Sequence, residues 1–243
     1  MKISEIDDDG QGEAKHKELI CTGQREIDKQ MGGGIPVGSL TLIEGESDAG
    51  KSVLAQQIMH GSLSCHHRVL LFTAENTVKS MNSQMGSLGL GIIDALLLGW
   101  MKIFTIEASK MGQMNTFATI VSGVRAFPSY DVIVVDSLTP VIAHTTKDQI
   151  LTYFEDCKKI CDDGKTVINV AHTYAFDEQV LIRLRSACDA HFRLRIEEIG
   201  EKLVKVLEVS KVRGAAKNTG NVVSFDVDPG LGMRILPMGR ASA

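Results

Sequence analysis

One short stretch of this chain, "GESDAGKS" at residues 45–52, carries the residue types that hold phosphate. It fits the spacing G-x-x-x-x-G-K-[ST], a glycine-rich loop followed directly by a lysine and a hydroxyl. The backbone N–H groups of Gly45, Glu46, Ser47, Asp48, Ala49 and Gly50 are expected to converge on an anion. Lys51 is expected to reach the β- and γ-phosphates, the Ser52 hydroxyl to bind Mg²⁺, and Val53 to carry the segment into a helix. The chemistry implied is binding of a nucleoside triphosphate, ATP, with Mg²⁺. Glu46 and Asp48 are unusual company for a triphosphate. Two carboxylates this close repel it unless they face solvent, and that is how we read them.

A second carboxylate site follows. The apolar run "VIVVDS" ends in Asp136, placed to hold the Mg²⁺ shell together with Ser52. The next residue is Ser137 rather than another carboxylate, so a water-orienting base has to come from elsewhere. Glu75, at the end of "VLLFTAE", is the candidate. A carboxylate ending the strand next to the P-loop strand can orient water against the γ-phosphate. The alternative is an ordinary strand-end residue.

These residues need strands and helices to position them. "SLTLIEG" (39–45), "RVLLFTAE" (68–75), "MKIFTIEA" (101–108), "YDVIVVDS" (130–137) and "KTVINVAHT" (165–173) are apolar runs of strand length. The run in 130–137 is continuous, so that strand is expected to be buried on both faces. Between the strands lie stretches of helical period: "KSVLAQQIMHGSL", "TVKSMNSQMGSLG", "NTFATIVSGVRAF" (115–127) and "KDQILTYFEDCKKICDDG" (147–164), the last ending at Gly164. Strands alternating with helices predict an α/β fold with a mainly parallel twisted sheet covered by helices on both faces. From residue 191 the pattern changes. "HFRLRIEE", "KLVKVLEVSK" and "VVSFDVD" alternate polar and apolar residues and predict antiparallel β-ribbons extending one edge. With no internal repeat and no Gly/Ser linker, residues 19–243 are expected to form one domain, preceded by a mobile polar tail, 1–18.

Composition narrows the class. The chain has 243 residues and a net charge of −4, with a sequence pI near 6.0. No global basic field advertises nucleic acid. The five cysteines, at 21, 65, 157, 161 and 188, fit neither a disulfide framework nor a zinc module, and a reducing cytoplasm is the simplest setting. The acidic N-terminus lacks the apolar core of a signal peptide. The longest apolar stretch, around residues 89–106, is broken by Asp94 and Lys102 and is not a membrane span. Cys65-His66-His67 reads as a loop, since adjacent residues on a turn rarely converge on one metal. The methionines at 81, 85, 101, 111 and 114 read as packing.

Together, "CTGQREIDKQMGGGIPVGSLTLIEG" (21–45), the P-loop, "FTAENT", "VVDS" and "KVRG" (211–214) resemble the RecA/KaiC-like ATPases over roughly residues 19–238. Within that family, "TGQREID", "GGGIP", "LIEGE", "TAENT" and "VVDSL" look most like the accessory ATPases of the archaeal flagellum, the archaellum. The resemblance implies a RecA-like P-loop fold. It also implies a homo-oligomeric ring, hexameric in relatives, with ATP between subunits. Its partners would be the archaellum motor ATPase and the membrane platform or ring scaffold, at the cytoplasmic face of the cell membrane. Lys211 and Arg213 correspond to the family's K-x-R-G and would reach the γ-phosphate of the next subunit. Arg213 would then act there as a finger or as a reporter of bound ATP. Without the family both would read as a solvated basic turn. His172 and Thr173 would lie near the γ-phosphate as a sensor pair moving the loop 174–180. A satisfied strand-end histidine is the alternative for His172.

One departure matters. KaiC-type domains usually carry two adjacent glutamates after the second strand, whereas this chain has Ala74-Glu75. That implies slow or absent hydrolysis, so that nucleotide binding carries the signal. Two other activities share the core: a RecA-like ATPase on DNA, and an autokinase. DNA binding is expected to be weak, because segments 139–147 and 174–182 hold few basic or aromatic residues.

Overall fold

The computed structural model describes residues 19–106, 116–200, 202–215 and 220–236. The expected tail 1–18, the end of the third expected strand, Met111 and Met114 lie outside them. The chain enters through strand β1 (Leu19–Ile20), helix α1 (Arg25–Gln30) and strand β2 (Ile35–Pro36). Strand β3 (Leu40–Gly45) leads into α2 (Lys51–Ser64), and β4 (Val69–Thr73) into α3 (Val78–Ser87) and α4 (Ile93–Leu97). Next come β5 (Met101–Thr105), α5 (Thr116–Ala126), β6 (Val132–Asp136), α6 (Thr139–Ile142) and α7 (Lys147–Asp162). Strand β7 (Thr166–His172) and helix α8 (Glu178–Ala187) precede four final strands. These are β8 (Ala190–Ile199), β9 (Lys202–Val212), β10 (Val222–Asp228) and β11 (Gly232–Ile235).

Local chemistry sets several of these boundaries. Thr146 opens α7 with a capping box, its side chain accepting from the Gln149 amide while Gln149 reaches back to the Thr146 amide. Thr77 caps α3 and Asp177 caps α8 in the same way, each accepting from a first-turn amide. Helix α2 differs. Gly50 stands at its N-cap in the left-handed region, φ 95°, and no side chain caps it. Its first-turn N–H groups therefore face outward, available to an anion.

The large sheet has nine strands in the order β11-β10-β9-β8-β3-β7-β6-β4-β5. Strands β3 to β7 are parallel to their neighbours, and β9, β10 and β11 pair antiparallel at one edge. Strand β8 is the hinge between the two patterns. It runs parallel to β3 and antiparallel to β9, so "HFRLRIEE" is not simply an arm of an antiparallel ribbon as its alternation predicts. Ala190, His191 and Phe192 are buried where the strand continues the parallel sheet, Arg193 is exposed between buried neighbours, and the far end runs from half-buried to exposed at Glu198 and Ile199.

Two apolar cores flank the sheet. One joins Ile43, Leu71, Val134 and Val170 to Leu54 and Ile58 of α2. The other joins Leu42, Leu70, Val135 and Val167 to α5, α7 and α8. Alternate residues of one strand thus serve opposite faces, the period of two that a covered parallel sheet requires. Met81, Met85 and Met101 are all buried in the first core.

The strand order corrects one expectation. The strand before Glu75 is not next to the P-loop strand: β7 and β6 lie between β3 and β4. Nor does Glu75 end β4, which stops at Thr73. The Thr73 hydroxyl accepts from the amides of Glu75 and Asn76, at 3.4 and 3.1 Å, and turns the chain there.

Candidate functional site

The carboxyl ends of β3, β6 and β7 meet over the N-terminus of α2, around a cavity of about 450 Å³. Open parallel sheets bind ligands at such edges. Gly45, where β3 becomes the loop, passes so close to β8 that an added Cβ would lie 2.0 Å from the Leu194 carbonyl oxygen. Only glycine fits that crossing. At Gly50 a Cβ would meet the Phe225 ring at 3.0 Å, so the ribbon of β10 presses on the loop as well.

Lys51 is buried at the first position of α2. Its ammonium donates to the Glu46 carbonyl at 2.5 Å and to His172 Nδ1 at 3.2 Å. An ammonium has no lone pair, so His172 accepts through Nδ1 as neutral imidazole. Burial, and then the Lys51 charge, push the His172 pKa down. Burial lowers that of Lys51, against the pull of Asp136 and Glu75. The His172 ring also stacks on exposed Tyr174, with centroids 4.9 Å apart. Lys51 is thus held between loop and sensor position, in contacts that a phosphate would replace.

Asp136 is buried at the end of β6. Its Oδ1 accepts from the Ser52 hydroxyl at 3.2 Å, while Oδ2 is buried without a partner. Burial above all pushes its pKa up to about 6. An orphaned carboxylate oxygen beside a hydroxyl, facing a phosphate-sized cavity, is the donor set a hard divalent cation takes. Ser52 and Asp136 therefore fit Mg²⁺.

Glu75 lines the cavity from the far side and is exposed. Its charge is near enough to act on both Asp136 and Lys51. Glu46, Ser47 and Asp48 are exposed, with Asp48 at φ 59°, while Ala49 is buried in the first core. Asp48 nevertheless lines the cavity, as does half-buried Val53. Thr173 begins a short 3₁₀ turn beyond the sensor position.

Lys211 and Arg213 do not join this group. In the register of β8 and β9, Lys211 lies opposite His191, which pairs with Leu42, three residues before the loop begins. Both cations bind the end of α8 instead. Lys211 Nζ donates to the carbonyls of Arg185 and Ser186, at 2.7 and 3.3 Å, and Arg213 Nη2 to that of Ser186, at 3.1 Å. From that end of the sheet they do not reach their own chain's phosphate site.

Two cavity residues escape the sequence reading. Lys205 of β9 and Val227 of β10 line the same space. A lone lysine in "VKVLEV" has no local signal, and only the fold of the ribbon over the loop brings it there. Cys21 and Cys65 are free, with sulfurs 2.8 Å apart, a pairing that their sequence spacing does not suggest. Among the described residues no cluster of three metal-ligating side chains occurs, and no helix is long and apolar enough to cross a membrane.

Comparison with known proteins agrees with this geometry. The family model for the KaiC ATPase matches residues 20–240. The archaeal flagellar ATP-binding protein FlaH of Sulfolobus acidocaldarius is 30% identical over 230 residues, covering 93% of this chain and all of that protein. The crystal structure of the flagellar accessory protein FlaH from Methanocaldococcus jannaschii superposes with a TM-score of 0.80 at 29% identity, over 90% of this chain and 100% of that one. A KaiC-like protein of Pyrococcus horikoshii shares the fold, with a TM-score of 0.74 at 17% identity over 90% of this chain and 99% of the other.

Proposed function

The chain belongs to the FlaH family of KaiC-like ATPases, and on that footing we propose that it is an ATP-binding regulatory and assembly component of the archaellum motor. It binds Mg-ATP in the P-loop cavity, hydrolyses it slowly or not at all, and uses the bound triphosphate to hold neighbouring copies together in a ring. The ring, hexameric as the family resemblance implies, docks on the motor ATPase at the cytoplasmic face of the membrane platform. Residues 19–243 act as one domain.

Each residue has a defined task. The loop amides and Lys51 hold the phosphates, and the Glu46 carbonyl and His172 keep Lys51 aimed before they arrive. Ser52 and Asp136 hold Mg²⁺, which screens the phosphate charge when bound. When the phosphates take the Lys51 ammonium, His172 loses its contact at Nδ1, its Nε2–H is the group that can donate to the γ-phosphate, and the change passes to Thr173 and Tyr174. Lys211 and Arg213 meet the γ-phosphate of the adjacent subunit, so ATP contributes to the interface. A ligand that binds the assembled state ~100-fold better shifts assembly by about 2.7 kcal/mol.

The observation that carries the reading is the split between two sets of groups. The binding groups Lys51 and Asp136 are buried and preorganised, whereas Glu75 is exposed and has no second glutamate beside it. A general base works only within hydrogen-bond reach of the water it activates, and burial does nothing to fix Glu75 there. The test is the fate of ATP on the purified protein. Labelled ATP and Mg²⁺ are mixed at several protein concentrations, and bound ATP, bound ADP and free phosphate are followed. Retained, unhydrolysed ATP is expected. Turnover on the order of 1 per second or faster, rising with protein concentration, would mean that neighbours complete a hydrolytic site.

A further inference from the structure

The P-loop strand carries a buried charge that the phosphate chemistry does not use. Glu44, one residue before the loop, is fully buried on the α8 face of β3. Its Oε1 accepts from Arg185 Nε at 2.6 Å and from His191 Nε2 at 2.7 Å. Its Oε2 is buried without a partner. Burial alone would raise the Glu44 pKa, but His191 and Arg185 outweigh it and hold the carboxyl down at about 2.

Arg185 works at both ends. Its side chain grips the P-loop strand, and its carbonyl, with that of Ser186, holds Lys211 and Arg213. These carbonyls belong to the last turn of α8, where intrahelical partners run out and the helix dipole is negative. The helix end is a natural dock for the two cations. Core packing by Val180, Leu181 and Leu184 seats the helix. Asp189, which accepts from the Leu40 amide at 3.0 Å and pairs with Arg213 at 3.7 Å, ties its end to the start of β3. Arg185 adds a tie to the P-loop end of the same strand. An ion pair buried in this way adds little net stability, because desolvation offsets the attraction. Its geometric effect is larger: it ties the dock to the strand from which the P-loop springs.

We propose that Arg185, through Glu44, is a positioning residue that registers the α8 dock on the P-loop strand and so sets where Lys211 and Arg213 stand for the neighbouring subunit. This rests on the reading that those two act in trans. Distant sites couple when a rigid element joins them, and here Arg185 bridges the helix end to the P-loop end of β3 while Asp189 bridges it to Leu40 at the start of that strand.

The experiment compares Arg185→Ala, Arg185→Lys, Arg213→Ala and the double variant Arg185→Ala/Arg213→Ala in the full chain. A fluorescent ATP analogue at protein concentrations below assembly reads affinity for the P-loop, and sedimentation with ATP and Mg²⁺ reads assembly. Arg185→Ala is expected to weaken ATP-dependent assembly about tenfold while leaving ATP affinity within about threefold, and the double variant to lose less than the two single losses combined, the part that remains beyond Arg213→Ala being the displaced Lys211. Arg185→Lys keeps the charge but loses the planar fork, and is expected to recover assembly only in part. Where Arg185→Ala fails to fold, Arg185→Lys decides: folded with wild-type assembly, it overturns the proposal. Losses that add in the double variant overturn it, as does wild-type assembly of Arg185→Ala when Arg213→Ala assembles poorly. Wild-type assembly of Arg213→Ala itself would overturn the trans reading, and this proposal with it.

Discussion

The two ends of the large sheet present their cations in opposite ways. At the carboxyl edge of the parallel strands, Lys51 is 6% exposed and Asp136 2% exposed, and each is held by a neighbour in the same chain. At the ribbon end, the Arg213 side chain is 55% exposed, donates to the Ser186 carbonyl and pairs loosely with Asp189 at 3.7 Å. Groups held in a buried site by exchangeable contacts need only swap partners when a ligand arrives, which suits binding within one subunit. An exposed arginine in such contacts can leave, because water replaces what it loses. The contrast teaches that this chain holds its P-loop groups inward and leaves Arg213 on its surface.

The largest break in that contrast is Lys51→Ala. It removes two charge-assisted phosphate contacts of roughly 1.5–3 kcal/mol each, so ATP affinity falls on the order of 1,000-fold by calorimetry. Unchanged affinity would remove the P-loop assignment altogether. The link between the two ends is probed by acid. The Glu44 carboxyl is lowered from its ordinary 4.5 to about 2, so its stabilising contribution is present above pH 4.5 and is lost as pH falls toward 2. Denaturant titrations of the unliganded chain and of Glu44→Gln across this range are expected to converge at the acid end; parallel curves would deny the shift.

Arg213→Ala addresses the ribbon end alone. ATP-dependent assembly weakens on the order of tenfold, while the dilute chain binds ATP as before, since this arginine does not reach its own cavity. Loss of affinity in the dilute chain would place Arg213 in cis and erase the contrast. The smallest effect belongs to Asp48→Asn. This exposed carboxylate lines the phosphate cavity, and neutralising it tightens ATP by about two- to threefold, the scale of an exposed charge contact. A loss of affinity would mean that Asp48 takes part in binding.

Much of the site was legible along the chain for a physical reason. A phosphate cradle is made by the backbone of consecutive residues, so Gly45 to Ser52 carries its own signature and the strand before it and helix after it follow. The same holds for Asp136, which ends a continuous apolar run. Each of these depends on near neighbours. Glu75 was legible as a candidate but not as a position, because strand order is not written in any one strand. Two other strands, β6 and β7, separate it from the P-loop strand.

By itself, then, the sequence determined the alternation of strands and helices, the phosphate-binding loop and the acid that faces it. Period and local hydrogen bonding act over a few residues, and a few residues suffice to read them. Only the tertiary structure decided that β8 is shared between the parallel sheet and the ribbon, that Lys205 enters the cavity, and that Lys211 and Arg213 stand away from it. It alone joined Glu44 to Arg185 across 141 residues. A buried carboxylate must find its counter-charge wherever the packing brings one, and that choice is made by the whole fold.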